Sequence, residues 1–352
     1  MTVARWRALA NLKADGYSYA SENISSRLMA LNAISPEDFS SSVMSIKVSL
    51  EDGLVLAPNF ESSDVLINNC LPPEYSFDAK YIVGFTYWET TRLPTKWVNY
   101  MNRCDELWTT SAWARQVFID SGVTKPVYSF DLGFNTDAFY YADRKKHLYD
   151  PFTFIHIGSP STRKNTQLVF DAFYKLFSYR SDYKLIIKSN GPPDARLIVG
   201  GENLGSINQV KNVEVIDYYL DDNKLGDLLR QSNCMIYPTR GEGWGMAPFQ
   251  AIATGLPTIC TNATACTEFA DLSVPLEANY SMTNQFGIYQ TGQWAEPNID
   301  DVCDRILYVV NNYDSVLEKT RAGSEVLHRD YSWDKVVIKD KDRISEIKKC
   351  LK

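Results

Sequence analysis

The segment Tyr237-Pro-Thr-Arg-Gly-Glu242-Gly243-Trp244-Gly245-Met246-Ala247-Pro248-Phe249-Gln250-Ala251-Ile252-Ala253-Thr254-Gly255-Leu256-Pro257 decides how the rest of the chain is read. The apolar run from Cys234 ends it on one side as a short buried strand. A loop with three glycines follows. A helix comes next, with Pro248 tolerated in its first turn and Gly255 placed to end it. Another strand, Thr258 to Cys260, starts at once. Glycines let the main chain approach a ligand closely. A helix start offers free N–H groups and a positive dipole end to an anion. The Glu242 carboxylate beside it can accept two hydroxyl hydrogen bonds. Amides directed at phosphate next to a carboxylate directed at hydroxyls suit a sugar joined to a phosphate. The plainer alternative is that the glycines only turn the chain from strand to helix.

Outward from this segment the same alternation recurs. Phe152 to Ile157, Tyr183 to Lys188 and Val213 to Ile216 read as further strands. Leu168, Ala172, Phe173, Leu176 and Phe177 have helical spacing. In the first half Val3 to Leu9, Val43 to Val48, Val65 to Asn68, Tyr81 to Tyr87, Glu106 to Thr109 and Val127 to Phe130 read as strands. Asn11 to Tyr19 reads as a loop, and Ser21 to Ala33 and Ala112 to Asp120 as helices. The charged stretch Asp137 to Asp150, closed by Pro151, reads as a linker. The expected organisation is an α/β chain with two Rossmann-like domains, 1–150 and 151–330, whose parallel sheets face a central cleft, plus a final helix at 331–352.

Composition bounds the partners. The 352 residues hold 45% apolar and 22% charged side chains, ordinary values for a globular chain with two cores. Lys and Arg number 36 against 43 acids, a formal charge of −7, which argues against a broadly basic polyanion-binding surface. No apolar run is long enough to span a membrane, and the N-terminus has charges where a signal peptide needs its apolar core. A cytoplasmic location is expected. The seven cysteines form no CxxC pair, which suits reduced thiols rather than metal ligands.

The Glu242 segment resembles the signature of retaining nucleotide-sugar glycosyltransferases of family 4, which have the GT-B fold. Their pattern is a Glu, then Gly-aromatic-Gly, then a helix with a second Glu eight residues after the first, closing on Ala-x-Ala-x-Gly-x-Pro. Glu242, Gly243 to Pro248 and Ala251 to Pro257 fit it. Gln250 departs from it, standing where the second Glu grips the ribose hydroxyls. Its amide keeps one acceptor and replaces the other with a donor. Weaker donor binding or altered donor choice is the expected consequence. A second likeness is Phe154-Ile-His156-Ile-Gly158-Ser-Pro-Ser-Thr-Arg163-Lys164, which looks like the family's glycine loop and basic pair. Two cations at a helix start are unfavourable by the dipole, so an anion partner explains them better than solvation does.

The resemblance implies catalytic roles for Glu242, Arg163 and Lys164. It implies donor contacts at Gly16, Gly158, Ile216, Tyr218, Gly243, Trp244, Gly245, Met246, Ala247 and Gln250. Ile216 and Tyr218 are equally readable as packing residues, and Gly16 as an ordinary loop glycine. Tyr87 and Glu89, at a strand end rich in aromatics and acids, are candidates to touch substrate; an ion pair of Glu89 with Arg92 is the alternative. The histidines, 147, 156 and 328, lie away from the acceptor end of the first domain, so no His base is carried over. No DxD pair sits at a strand end, so neither metal nor cofactor is expected; Asp221-Asp222 and Asp300-Asp301 read as helix starts or solvated loops. The resemblance implies hexose transfer from a nucleotide-diphosphate sugar, a UDP-sugar as first choice. The resemblance also implies attack on the front face, with the leaving phosphate taking the acceptor proton. The acceptor hydroxyl stays open among a polysaccharide, a glycolipid and a hydroxymethylated base of DNA, the last made less attractive by 14 Lys and Arg against 18 acids through residue 150. The oligomeric state is open. A sugar-nucleotide-binding protein without catalysis is the alternative.

Overall fold

The computed structural model describes residues 4–8, 16–34, 63–144, 151–159, 161–189, 198–199, 202–203, 210–283, 289 and 291–351. The expected strand at Val43 to Val48 lies outside them. The chain divides into two units: Met1–Trp88, Arg92–Gly133 and Trp333–Lys352, and Glu89–Thr91 with Phe134–Ser332.

The first unit carries a five-stranded parallel sheet in the order β1 (Ala4–Ala8), β2 (Ser63–Asn69), β3 (Ala79–Phe85), β4 (Glu106–Thr109), β5 (Val127–Ser129). Helices α1 (Gly16–Ala30), α2 (Thr95–Met101) and α3 (Ala112–Asp120) join the strands. Gly16 to Tyr19, expected in a loop, begins α1. Those residues give little helical signal alone; the apolar stripe of the later turns fixes the helix. Ala20, Ile24 and Leu28, four apart, are buried in that stripe, and Ser21 Oγ accepts from Trp6 Nε1 at 2.9 Å. Edge-to-face and tilted contacts link Trp6, Phe85, Trp108 and Phe130 through the core. Helix α9 (Trp333–Cys350) belongs to this unit. Arg343 pairs with the fully buried Glu106 at 2.5 Å, and Lys348 Nζ donates to the Ala33 carbonyl at 2.6 Å.

In the second unit the strands are β6 (Phe152–Ile157), β7 (Tyr183–Lys188), the ribbon β8 (Ile198–Val199) and β9 (Glu202–Asn203), β10 (Val213–Ile216), β11 (Cys234–Tyr237), β12 (Thr258–Thr261), β13 (Val274–Leu276) and the hairpin β14 (Asn279–Met282) and β15 (Gln293–Glu296). The helices are α4 (Thr166–Phe177), α5 (Asp222–Arg230), α6 (Met246–Ala253), α7 (Ile299–Asn311) and α8 (Tyr313–Asp330). The main sheet runs β10-β7-β6-β11-β12-β13, all parallel. Its strand order therefore reverses between β6 and β11. In such sheets ligands bind beyond the carboxyl ends of the strands at that reversal.

The core explains why the elements form here. Val169, Phe170, Phe173 and Phe177 of α4 lie on one buried face against Phe154, Leu185 and Ile236. The Phe177 and Tyr183 rings stack at 4.0 Å. Each such side chain contributes roughly 1.5–3 kcal/mol relative to exposure. The Asp pairs are helix starts: Asp221 caps α5 by accepting from Lys224 N at 2.9 Å, and Asn298 caps α7 over Asp300 and Asp301. From Phe134 the chain packs on the second unit, ahead of the charged stretch. Phe134 meets Phe249 edge to face, and buried Arg144 donates to the Leu229 carbonyl at 3.0 Å.

Candidate active site

Two segments leave the sheet at the reversal, one after β6 and one after β11. Below them His156, fully buried, ties the strands together. Its Nδ1 is 2.9 Å from the Ile236 carbonyl and its Nε2 is 3.1 Å from Thr166 Oγ1, which assigns the neutral ring with Nδ1–H donating. Burial pushes the imidazole down to about 4.

Above, the turn at 161–165 and the loop at 238–242 are bonded edge to edge. Asn165, at φ 58°, donates from Nδ2 to the Pro238 carbonyl at 3.0 Å. Arg240 N donates to the Arg163 carbonyl at 2.8 Å, and its guanidinium reaches the Thr162 carbonyl at 2.6 Å and Glu296 at 2.6 Å. This lattice of bonds holds Arg163 and Lys164 toward Glu242.

The partners of the Glu242 carboxylate among the described residues converge on Oε1. Lys164 Nζ donates at 2.7 Å, Tyr237 OH at 2.9 Å and Thr239 Oγ1 at 2.9 Å, and Arg163 Nη1 pairs at 3.0 Å. Oε2 carries no such bond among the described residues. Burial works against charge on Glu242, but the Lys164 ammonium and the Arg163 guanidinium outweigh it and hold its carboxyl down at about 2. Burial draws Lys164 below its ordinary value, with Glu242 opposing and Arg163 adding. Arg163 is held above its ordinary value: burial opposes this, but Glu242 and Glu89 prevail. Its Nη1 also donates to the Gly241 carbonyl at 2.6 Å.

The loop then turns into α6 through Gly245, at φ 97°. Only glycine takes that conformation freely, and a Cβ there would also lie 2.9 Å from Cys266 Sγ. Met246 and Ala247 open the helix, half-buried, with their N–H groups beyond the reach of an i−4 carbonyl. Pro248, the next residue, has no N–H.

The expected site residues are not all in one place. Arg163, Lys164, Glu242, Gly243, Gly245, Met246 and Ala247 come together at the reversal, with Gly158 at the end of β6. Gln250 follows on α6, buried, its amide without a hydrogen-bond partner among the described residues. Trp244 faces inward: its ring is 4% exposed among Phe249, Phe269 and Tyr331, so what it offers a ligand is main chain. Ile216 is buried at the end of β10, whereas Tyr218 is 62% exposed. Gly16 and Tyr87 lie in the first unit, the one as the first residue of α1, the other buried beside Phe85 with its OH 3.5 Å from Asn69 Nδ2. Glu89 belongs to the second unit, 4.0 Å from Arg163 Nη2. Arg163 thus takes the place expected of Arg92. The reading from sequence missed Tyr237, Thr239, Arg240, Asn165 and Tyr289. Tyr237 and Thr239 flank the loop and were within reach of a motif reading; Tyr289 was not.

Residues 110–339 match the family described as "Family 4 Glycosyltransferase in conflict systems". That stretch is well over half of the chain. The chain belongs to this family. A curated relative, the GDP-mannose-dependent alpha-(1-6)-phosphatidylinositol dimannoside mannosyltransferase of Mycobacterium tuberculosis, is 26% identical over 165 residues, 45% of this chain and 41% of the relative. The match therefore spans less than half of that enzyme's length. Among solved structures, Anabaena HepE in complex with UDP and glucose is similar with a TM-score of 0.59 at 12% identity, over 81% of this chain and 78% of HepE. Sucrose-phosphate synthase from Thermosynechococcus elongatus is similar with a TM-score of 0.60 at 12% identity, over 82% and 74%. The fold is that of GT-B glycosyltransferases. No helix among its described residues is long and apolar enough to cross a membrane.

Proposed function

We propose that this family-4 chain moves a hexose from a nucleotide-diphosphate sugar to a hydroxyl acceptor, with retained anomeric configuration and without a metal ion or other cofactor. The observation that carries the reading is the convergence of Arg163 and Lys164 on Glu242 at the reversal of the sheet. As the glycosidic bond breaks, the leaving diphosphate gains charge. Cations fixed there beforehand stabilise that charge more than they stabilise the ground state. The N–H groups of Met246 and Ala247 add to this at the start of α6. Glu242 Oε2 accepts from the sugar hydroxyls while Oε1 keeps the cations in place. Gly158 and Gly243 let the main chain close on the donor, Gln250 meets the ribose, and Ile216 and Tyr218 border the base.

A UDP-sugar is the first choice of donor, supported by the UDP bound in HepE. GDP-mannose is the second, supported by the mycobacterial relative. The acceptor is a polysaccharide, a glycolipid or a hydroxymethylated DNA base, and the reaction takes place in the cytoplasm, where free thiols such as the buried Cys260 and Cys266 stay reduced. The test is release of nucleoside diphosphate from UDP-glucose, UDP-N-acetylglucosamine, GDP-mannose and ADP-glucose with a panel of acceptors, with and without EDTA, and NMR of the product anomer. Turnover that survives EDTA and gives the donor's own anomer supports the reading; an inverted anomer or a requirement for metal contradicts it. Gln250 favours a second reading, a binder without turnover. It predicts tight donor binding and no diphosphate release with any acceptor.

A further inference from the structure

Three residues beyond β3 in sequence, Glu89, Thr90 and Thr91, belong to the second unit. They are bonded along the segment that leads into β15. Thr91 N donates to the Gln293 carbonyl at 2.8 Å, Gln293 N to Thr91 Oγ1 at 2.7 Å, and Thr90 Oγ1 to the Thr291 carbonyl at 3.0 Å. On the other side the Glu242 loop closes directly on them: a Cβ on Gly241 would lie 2.1 Å from the Glu89 carbonyl oxygen. The Glu89 side chain is thereby delivered to Arg163, with Oε1 4.0 Å from Nη2, and it is hydrogen-bonded to Tyr289.

The groups facing Glu89 are Arg163 and Lys164 from the turn before α4, Glu242 from the loop after β11, and Tyr289. Their formal charges cancel: two cations against the carboxylates of Glu242 and Glu89. A diphosphate brings about two negative charges into a site that is already neutral and largely shielded from water, where charge is costly. Glu242 cannot relieve the excess, because four donors hold its Oε1. Among the described residues Glu89 is held by one hydroxyl and one long ionic contact. Burial already raises its carboxyl above the ordinary range, against Arg163.

We propose that binding of the nucleotide-diphosphate sugar is coupled to uptake of one proton by Glu89, which turns the second counter-ion of Arg163 into a neutral hydrogen-bond donor facing the diphosphate. The inference rests on the donor reading of the site proposed for this chain. The proton comes from solvent and adds to a carboxylate oxygen. No bond of the donor breaks in this step, and the proton returns to solvent when the nucleoside diphosphate leaves.

The experiment is calorimetric titration of UDP-glucose and of GDP-mannose into the whole chain, in buffers of different ionisation enthalpy, in steps between about pH 5 and about pH 8. The diphosphate of a nucleotide sugar is a diester and does not itself titrate there, so any linkage belongs to the protein. The expected result is uptake approaching one proton at its maximum, with Kd weakening by up to about tenfold per pH unit across that window. In Glu89→Gln the uptake disappears and Kd becomes flat with pH. Tyr289→Phe keeps the carboxylate and removes its hydroxyl partner, so the maximum moves to higher pH. Binding without proton uptake in the unaltered chain, or uptake unchanged in Glu89→Gln, overturns this proposal alone. No binding of either sugar nucleotide overturns the donor reading and this proposal with it.

Discussion

The carboxyl ends of the two parallel sheets each hold an arginine, buried in the first unit and half-buried in the second, and they use it differently. In the first unit Arg7, at the end of β1, donates to Asn68 Oδ1 at 3.4 Å, to Cys70 Sγ at 3.5 Å and to the Glu74 carbonyl. Asn68 in turn bonds both ways with Ser76, accepting from its N at 2.9 Å and donating to its carbonyl at 3.0 Å. That cation ties strands to the turn beyond them. In the second unit Arg163 and Lys164 share one carboxylate oxygen on a loop. Main-chain carbonyls cannot leave a folded core, but a carboxylate's partners can be shared with an incoming phosphate oxygen. The difference separates an arginine that holds a fold from a pair that can hold a ligand.

Substitution at both edges breaks or sharpens the contrast. Lys164→Ala should lower kcat by roughly 100–1000-fold while leaving the denaturant midpoint near that of the unaltered chain. Arg7→Ala should do the reverse, with donor affinity retained and stability reduced by about 1–3 kcal/mol for the buried acceptors left unpaired. Equal loss of turnover in both would erase the distinction.

Acid should weaken the second unit first. His156 is neutral when folded and titrates at about 4 against an ordinary 6.5. The unfolded chain binds the proton first as pH falls, so the stability conferred by the neutral ring is full above about pH 6.5 and is lost toward about pH 4. The loss is about 3 kcal/mol. Replacing His156 with Gln should flatten that part of a Tm-against-pH curve. An unchanged slope would mean that the ring takes up its proton without cost. Glu242, held down at about 2, adds its own loss only below the ordinary carboxylate range.

The smallest effect is expected at Gln250. Restoring a carboxylate with Gln250→Glu should change the Kd for sugar nucleotides by up to about tenfold, the worth of one charge-assisted hydrogen bond. Identical affinities for UDP-, GDP- and ADP-sugars in both proteins would remove Gln250 from the ribose.

The second unit was readable because its site is local in sequence. The loop around Glu242 joins one strand to one helix, and its glycines and proline mark where the chain turns. Arg163 and Lys164 were placed with it through their likeness to the family's basic pair, and the pairing of β6 with β11 in the structure sets the two segments side by side. Glu89 was noticed, but its neighbour was not. Its place depends on Thr90 and Thr91 bonding to 291–293, some two hundred residues away, and no periodicity records that. The hairpin β14–β15 escaped for a similar reason: its outer residues Tyr280 and Met282 are exposed, so it lacks the clean alternation of a half-buried strand. The start of α1 escaped because Gly16 to Tyr19 is set by packing further along the helix. The ring of Trp244 was misleading in the opposite sense, since an aromatic in a ligand loop turned out to belong to the core.

The most direct measurement is an experimental structure of the chain with UDP or GDP bound. Diphosphate oxygens within about 3.2 Å of Arg163, Lys164 and the Met246 or Ala247 amides, with Glu242 Oε1 still holding both cations, is the predicted result. A diphosphate seated at the Arg7 edge, or anywhere that leaves Arg163 and Lys164 untouched, would contradict it.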